Sequence, residues 1–383
     1  MQILDFLNSH LDDWEEILTQ EPYYIKVKRD GEYILLSYSQ LNSDFTNPIV
    51  RECRGSIFKI VDGQFKCVCM PFYKFANYGE SYADTINWYE ATVTEKIDGS
   101  LIKVWYDKGW HVSTNGTIDA YKATIDAYPN LTFGDVFNHA LGDKKEEFLG
   151  CLNRTFTHMF ELVSPMNRVV ISYYETQLYY IAARDMQNFQ ETVIDKTSKE
   201  ILKNNFGILS PTMFNVSTLS NCLDLVQTFD KNQEGIVVSD NQFHRIKIKS
   251  PEYLIAAHAA NNGVMGLSTA LDLIRREAVD DFKAYCDIHN KYLNHIEFII
   301  RTIENDIEAA WRSLAPEVLP LSAKERAAAI RNYPNRYVQD YIFKKCDNQD
   351  LTPFTYLFRT IRNSALETIV KFYRENLGDN YAF

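Results

Sequence analysis

The spacing of apolar residues changes character along this chain. Ile3, Phe6, Leu7, Trp14, Ile17 and Leu18 recur at helical spacing and predict an N-terminal helix. From about Tyr23 the period becomes two. Tyr24–Val27 and Tyr33–Leu36 flank Arg29-Asp30-Gly31 and predict a hairpin. Gly55–Ile60 and Phe65–Cys69, around Asp62-Gly63, predict another. A third is expected to run from Ala91 to Tyr106 and to turn at Lys108-Gly109 into Trp110–Thr114. Helical stretches are expected around Ile118–Tyr128 and Phe133–Asn153. Strands return at Phe156–Val163, Gln177–Ala183, Gly235–Val238 and Phe243–Ile248.

After about Leu254 alternation gives way to spacings of three and four. Leu267–Ile274, Phe282–Ile288, Ile296–Leu314, Ala323–Ile330, Val338–Phe343 and Leu366–Phe372 all suit helices. The chain therefore reads as α+β. An antiparallel α+β domain is expected over residues 1–254, followed by an all-helical domain over 255–383.

Composition adds limits. A chain of 383 residues can hold two domains. Aromatic residues reach 14%, which favours β-rich structure or stacking surfaces. No apolar run is long enough to span a bilayer, so no membrane partner is expected. Met1-Gln2-Ile3-Leu4-Asp5 lacks a signal-peptide pattern. The seven cysteines are scattered without a CxxC pair, so structural zinc is not expected. Reduced thiols in a cytoplasmic setting are the expectation. The net charge of −11 argues against an indiscriminate polyanion binder. Contact with nucleic acid must come from a local basic cleft.

Chemistry gathers around Glu95-Lys96-Ile97-Asp98-Gly99-Ser100. A lysine before an Asp-Gly turn can attack the α-phosphate of a nucleotide and carry the nucleotide as a phosphoramidate. The motif alone is weak, because Lys28-Arg29-Asp30-Gly31 has the same pattern in what reads as a plain turn. Company separates the two. Phe160-Glu161-Leu162-Val163 puts a carboxylate in an apolar strand, and Glu234-Gly235-Ile236-Val237-Val238 is a strand led by another. In Ile246-Lys247-Ile248-Lys249, alternation sends both lysines to one face and both isoleucines to the core. Each element alone reads as an edge strand with solvated charges. In this order they suit a triphosphate with a divalent cation. The amine must lose its proton before attack, which nearby cations and desolvation favour. Carboxylates hold a hard metal, and lysines offset charge on the phosphates and the departing pyrophosphate.

These ordered runs resemble the motifs of the covalent nucleotidyltransferases, which include DNA ligases, RNA ligases and mRNA capping enzymes. Arg51-Glu52-Cys53-Arg54-Gly55, Pro71-Phe72-Tyr73-Lys74-Phe75 and Ser164-Pro165-Met166-Asn167-Arg168 resemble the bacteriophage RNA ligase 1 branch. The resemblance covers most of residues 1–254 and implies an antiparallel-sheet nucleotidyltransferase domain. It implies that Lys96 becomes adenylylated, with Gly99 in the same turn. Tyr38, Arg54 and Lys74 would contact ATP, the basic pair at its phosphates. Glu161 and Glu234 would serve ribose or metal. Lys247 and Lys249 would bind phosphates, with Tyr253 close behind. Asp280, in Ala278-Val279-Asp280-Asp281-Phe282-Lys283, matches the place of a metal-associated aspartate, and reads equally as a first-turn helix acid. One departure stands out. Asn115, in Ser113-Thr114-Asn115-Gly116-Thr117, occupies a slot that is often basic in the family, so one phosphate or RNA contact is in doubt there. Asn115 suits a tight turn instead.

The resemblance implies an ATP-dependent RNA ligase that uses Mg²⁺, with Mn²⁺ as an alternative. Its partners would be single-stranded or nicked RNA, such as a cleaved tRNA. A viral source, hence a host-cytoplasmic enzyme, and a kinase-phosphatase that prepares RNA ends come with the same resemblance. The helical stretch after residue 254 disfavours a DNA ligase or capping guanylyltransferase, whose catalytic domain is usually followed by an OB fold. A non-catalytic RNA-binding relative is the reading from another class. Arg275-Arg276, Tyr333-Pro334-Asn335-Arg336-Tyr337 and Arg359-Thr360-Ile361-Arg362 offer cation and aromatic groups for RNA, or are solvated helix faces. Oligomeric state is left open.

Overall fold

In a computed structural model the described residues are 1–40, 42–125, 128–253, 266–275, 279–283 and 290–376. They divide into two compact units, Met1–Asn262 and Gly263–Phe383. The sequence-derived boundary at 254/255 lies outside the described residues.

The first unit opens with helices Gln2–Ser9 and Trp14–Leu18, so the expected N-terminal helix is broken. The break falls at Asp12-Asp13, residues that compete for backbone hydrogen bonds and favour turns. Strands β1 (Lys26–Asp30), β2 (Tyr33–Ser37), β3 (Arg54–Val61) and β4 (Gln64–Cys69) then form an antiparallel sheet in that order. Ile3, Leu7, Trp14 and Leu18 pack on Ile34, Leu36, Phe58 and Phe65 of its outer face.

Twelve more strands follow among the described residues. They are β5 (Ala76–Asn77), β6 (Thr92–Glu95), β7 (Ser100–Tyr106), β8 (Trp110–Thr114), β9 (Thr124–Ile125) and β10 (Tyr128–Thr132). After them come β11 (Phe156–Val163), β12 (Gln177–Asp185), β13 (Glu191–Thr192), β14 (Met213–Phe214), β15 (Gly235–Ser239) and β16 (Arg245–Lys249). One five-stranded sheet has the order β13-β12-β11-β7-β8, and another has β14-β6-β15-β16-β5. Every pairing in them is antiparallel except β16 with β5.

The expected strand from Ala91 to Tyr106 is thus two strands in two different sheets. Alternation continues on both sides of the break, but Asp98 and Gly99 stop the ladder. The Asp98 carboxylate accepts the Val170 and Ile171 N–H groups at 2.9 and 2.7 Å, so it is turned away from strand geometry. Bare backbone at Gly99 lies against Leu162, whose carbonyl oxygen a Cβ would meet at 2.6 Å. Lys96 therefore sits where the chain crosses between the sheets.

The expected helix over Ile118–Tyr128 is also overturned. Its described residues hold a 3₁₀ turn at Ala120–Lys122, capped by Asp119, and then the β9/β10 pair. β-branched Thr124 and Ile125 favour a strand, and Pro129 pushes Tyr128 into extended backbone. The stretch Phe133–Asn153 splits into Phe133–Leu141 and Lys145–Cys151 at Gly142, whose φ is +55°. A Thr132/Asp135 capping box starts the first piece. Helices Lys196–Phe206 and Leu219–Gln227, and the short Pro48–Glu52 and Pro353–Thr355, fall outside the sequence reading.

Each five-stranded sheet buries one face under helices. Ile102, Val104, Phe160 and Leu162 pack against Phe137, Phe148 and Phe206. Val93, Ile236, Val238, Ile246 and Ile248 pack against Cys222, Val226 and Phe229. Trp105, from the opposite face of β7, joins Leu35, Ile57, Val68 and Cys69 of the four-stranded sheet.

The second unit is helical throughout its described residues. Asn290–Val318 buries Leu293, Ile296, Ile300, Ile303 and Ile307 at spacings of three and four. It packs with Asn363–Asn376, where Leu366, Ile369, Val370 and Tyr373 turn inward. The Tyr373 hydroxyl donates to Asp306 at 2.7 Å. Helix Val279–Lys283 is described, whereas the rest of the expected Phe282–Ile288 helix lies outside the described residues, as does Arg276. Among the described residues no helix is long and apolar enough to cross a membrane.

Phe148 is fully buried and meets Phe137, Phe160 and Phe206 edge-on. Phe148→Ala is expected to lower the unfolding free energy of the first unit by about 3–5 kcal/mol, read by denaturant titration. A loss below about 1 kcal/mol would show that this cluster does not hold the sheet to its helices.

Candidate active site

Lys96 is fixed by backbone before side-chain chemistry enters. Its N–H donates to the Gly235 carbonyl at 2.9 Å, docking the crossover on the first residue of β15. Gly235 has a φ of +151°, and a Cβ there would collide with the β16 backbone. The β15–β16 register pairs Gly235 with Lys249. This brings Glu234, Lys96 and Lys249 to one point.

Glu234 is the centre of that point, with a side chain only 3% exposed. Lys96 Nζ donates to its Oε2 at 2.7 Å, and Lys249 Nζ contacts its Oε1 at 2.8 Å. Burial pushes the Glu234 carboxyl up, but the Lys249 and Lys96 ammonium groups outweigh it and hold the group below the usual carboxylate range. Lys249 Nζ also lies 5.2 Å from the Tyr253 ring centroid. The Tyr253 hydroxyl donates to Asp98 at 3.0 Å. Asp98 is buried, and burial raises its pKa, followed by the charge of Glu234, while the two backbone donors work the other way. Glu161 faces the same region from β11, opposite Leu101 of β7. Desolvation pushes its carboxyl up to about 7, against the pull of Lys96.

A second group of cations lies on aromatic faces. Lys74 Nζ sits 5.2 Å from the Tyr38 centroid and 4.6 Å from that of Phe45, and donates to the side-chain Oε1 of Gln40 at 3.2 Å. The Arg54 guanidinium lies 5.7 Å from the Phe75 centroid. Arg54 Nη1 is buried without a hydrogen-bond partner among the described residues. Lys247 is half-buried on β16, beside Lys249, and its carbonyl accepts from the Tyr78 N–H at 2.9 Å.

Of the residues singled out in the sequence, Lys96, Glu234, Lys249 and Tyr253 are thus joined by direct contact, and Gly99 and Glu161 flank them. Tyr38 and Lys74 form one cation–aromatic pair and Arg54 belongs to another. Asp280 lies in the second unit, half-buried on helix Val279–Lys283, where its charge raises the Glu297 carboxyl behind burial. Asn115 ends the β8 hairpin in a turn closed by Thr114 N–H donating to Thr117 O at 3.1 Å.

Other parts went unread in the sequence. In the sequence Asp98 reads only as a turn residue, yet it ties three distant segments together. Its signal was its place in the lysine motif. Glu191 is buried between Arg245 and Arg184, and those arginines lie over Phe72 and Tyr73, the segment that carries Lys74. No spacing rule marks that network. Among the described residues no three or more His, Cys, Asp and Glu side chains come together as a metal cage.

Comparison with known proteins follows from this geometry. Residues 52–253, more than half of the chain, match the RNA ligase family profile. The RNA ligase of Rhodothermus phage RM378 is 24% identical, over 88% of this chain and 90% of its own length. RNA ligase 1 of bacteriophage TS2126 is 28% identical, over 42% of this chain and 41% of its own length. Among solved structures, an archaeal ATP-dependent RNA ligase matches with a TM-score of 0.46 at 13% identity, covering 87% of this chain and 85% of its own. The chain spanning Lys96, Glu161, Glu234 and Lys249 belongs to the RNA ligase family.

Proposed function

We propose that this chain is an ATP-dependent RNA ligase that joins 5′-phosphate and 3′-hydroxyl ends through lysyl-AMP and RNA-adenylate intermediates. The observation that carries the assignment is the buried Lys96–Glu234–Lys249 contact, a nucleophile and a second cation on one carboxylate.

Glu234 holds Lys96 Nζ at a fixed place beside Lys249. An ammonium cannot attack phosphorus, so the resting contact orients the amine and keeps it unreactive. Lys249 and Lys247 bind the triphosphate, with Arg54 and Lys74 at its outer phosphates and Tyr38 beneath Lys74. The oxygens of Glu234 would suit a hard cation bound largely through phosphates. A bound divalent ion, Mg²⁺ or Mn²⁺, would neutralise phosphate charge beside Glu234. Lys96 Nζ gives up a proton to solvent, its lone pair forms a bond to the α-phosphorus, and the bond to pyrophosphate breaks. A 5′-phosphate oxygen of RNA displaces Lys96, giving a 5′–5′ pyrophosphate. A 3′-hydroxyl attacks that activated phosphate, and AMP leaves. Glu161 faces the ribose in this reading. Positioning and charge neutralisation carry each step.

The helical unit serves RNA choice in the same reading, with residues 1–254 as the adenylyltransferase domain. Single-stranded or nicked RNA, including a nicked tRNA, is the substrate class. A kinase-phosphatase supplies 5′-phosphate and 3′-hydroxyl ends.

Incubation with α-labelled ATP and Mg²⁺ is expected to give acid-labile label on the wild type and none on Lys96→Ala. Equal labelling of both sinks the assignment. Ligation is expected with 5′-phosphorylated RNA and not with nicked DNA, and GTP is not expected to replace ATP. RNA binding without label transfer favours a non-catalytic relative. Replacing exposed Arg359 and Arg362 by Ala is expected to reduce joining of a nicked anticodon stem-loop while leaving lysine labelling intact. Loss of both activities together would count against a separate RNA-choosing unit.

Glu161 generates a pH dependence. Its folded pKa of about 7 exceeds the ordinary 4.5, so the folded state holds the proton more tightly. Its contribution to stability is full below about 4.5 and is lost as pH rises through about 7. Glu161→Gln removes that loss. The melting temperature of Glu161→Gln relative to wild type is expected to rise between pH 5 and pH 8, while lysine labelling falls. A constant difference across that range overturns the burial argument.

A further inference from the structure

Lys103 has no role in the chemistry above, yet it is one of the most anomalous residues in the fold. It occupies the middle of β7, on the face it shares with Leu101 and Trp105. Its side chain is fully buried. The amine donates to the Gly55 carbonyl, and no ion pair to it occurs among the described residues. The groups facing it are Arg54 from β3, the Cys67 and Cys69 thiols from β4, Ser113 from β8, and Met159 and Glu161 along β11. Burial raises the pKa of both thiols, so they offer no charge at neutral pH. A lone ammonium inside a protein costs several kcal/mol, so it sheds its proton or waits for an anion. Burial pushes Lys103 down to about 8.

The corner that Lys103 holds is built for close approach. Gly55 has a φ of +80°, and a Cβ there would strike the Asn115 backbone. Asn115 brings no charge, and its side-chain oxygen is buried without a partner among the described residues. Arg54, the next residue back, leaves Nη1 buried with no hydrogen-bond partner among the described residues. Two basic groups therefore lie close enough to interact, Lys103 on the Gly55 carbonyl, with no carboxylate in ion-pair contact among the described residues. An incoming phosphate at Arg54 supplies the missing negative charge and favours the protonated amine.

We propose that Lys103 is a positioning residue that locks the Arg54–Gly55 corner and takes up a proton as nucleotide phosphates bind at Arg54. It rests on the assignment of Arg54 to the nucleotide made above. The proton comes from solvent onto the amine lone pair, and no bond of the chain breaks. Above pH 8 the free protein must bind that proton along with the nucleotide, so affinity falls as pH rises.

The test is calorimetric titration of the full chain with α,β-methylene-ATP and Mg²⁺ at pH 8.5, in two buffers of different ionisation enthalpy. The wild type is expected to take up a fraction of a proton, and its affinity to fall by up to about tenfold per pH unit above pH 8. Lys103→Met is expected to bind more weakly, with no uptake and a flat profile. No uptake in the wild type overturns the proposal, whether or not Lys103→Met folds. So does uptake retained in Lys103→Met. Unchanged affinity in Arg54→Ala removes instead the nucleotide assignment of Arg54, and this inference with it.

Discussion

A carboxylate buried between two lysines is the constraint on which the site depends. Glu234 cannot stay charged inside the first unit unless both ammonium groups reach it, because an unpaired buried charge costs several kcal/mol. The surrounding backbone meets that demand. Gly235 lets β15 start tight against β16, and the register sets Lys249 opposite it. The Lys96 N–H takes the Gly235 carbonyl. A one-residue slip between β15 and β16 would turn Lys249 toward the helices and Ile248 toward the charge. Register, glycine conformation and ion pairing therefore specify one another.

Much of this was legible in the sequence, for physical reasons. β11 was read at its observed bounds, and β16 gave the correct faces, since Ile246 and Ile248 are buried in the core while the lysines turn toward the site. Period-two alternation reports which face is buried, and both facts rest on burial alone. Alternation says nothing about which sheet a strand joins, so the passage of β6 and β7 into different sheets was invisible. That event is decided by hydrogen bonds from Val170 and Ile171 to Asp98, far along the chain. The 118–128 stretch misled because its apolar spacing also fits a helix, while Pro129 decided otherwise. The two longer missed helices carried local signals, an Asp195 cap with Gly207 at the end of one and a Thr218 cap on the other. Lys103 escaped because a lysine in an apolar strand is ordinarily read as facing water.

Several polar groups here sit where folding alone would place apolar ones. Desolvation raises Asp98 and Glu161 and lowers Lys103, so each is held against its own preference. Binding sites commonly trade stability in this way. The aromatic cluster of Phe137, Phe148, Phe160 and Phe206 packs on the other face of the sheet that carries Glu161 and Lys103. One sheet thus carries buried polar groups on one side and an aromatic core on the other.

The crossover at Lys96 has a consequence for retention. Its backbone is bonded to β15, while Asp98, two residues on, is anchored to the 170–171 loop and to Tyr253. On the proposed chemistry, a nucleotide carried on that lysine is moored to a segment pinned at both ends. It stays in register while pyrophosphate departs and an RNA end arrives. Its effective concentration toward the incoming phosphate is then set by the stiffness of a few residues, and no longer by an equilibrium with free nucleotide.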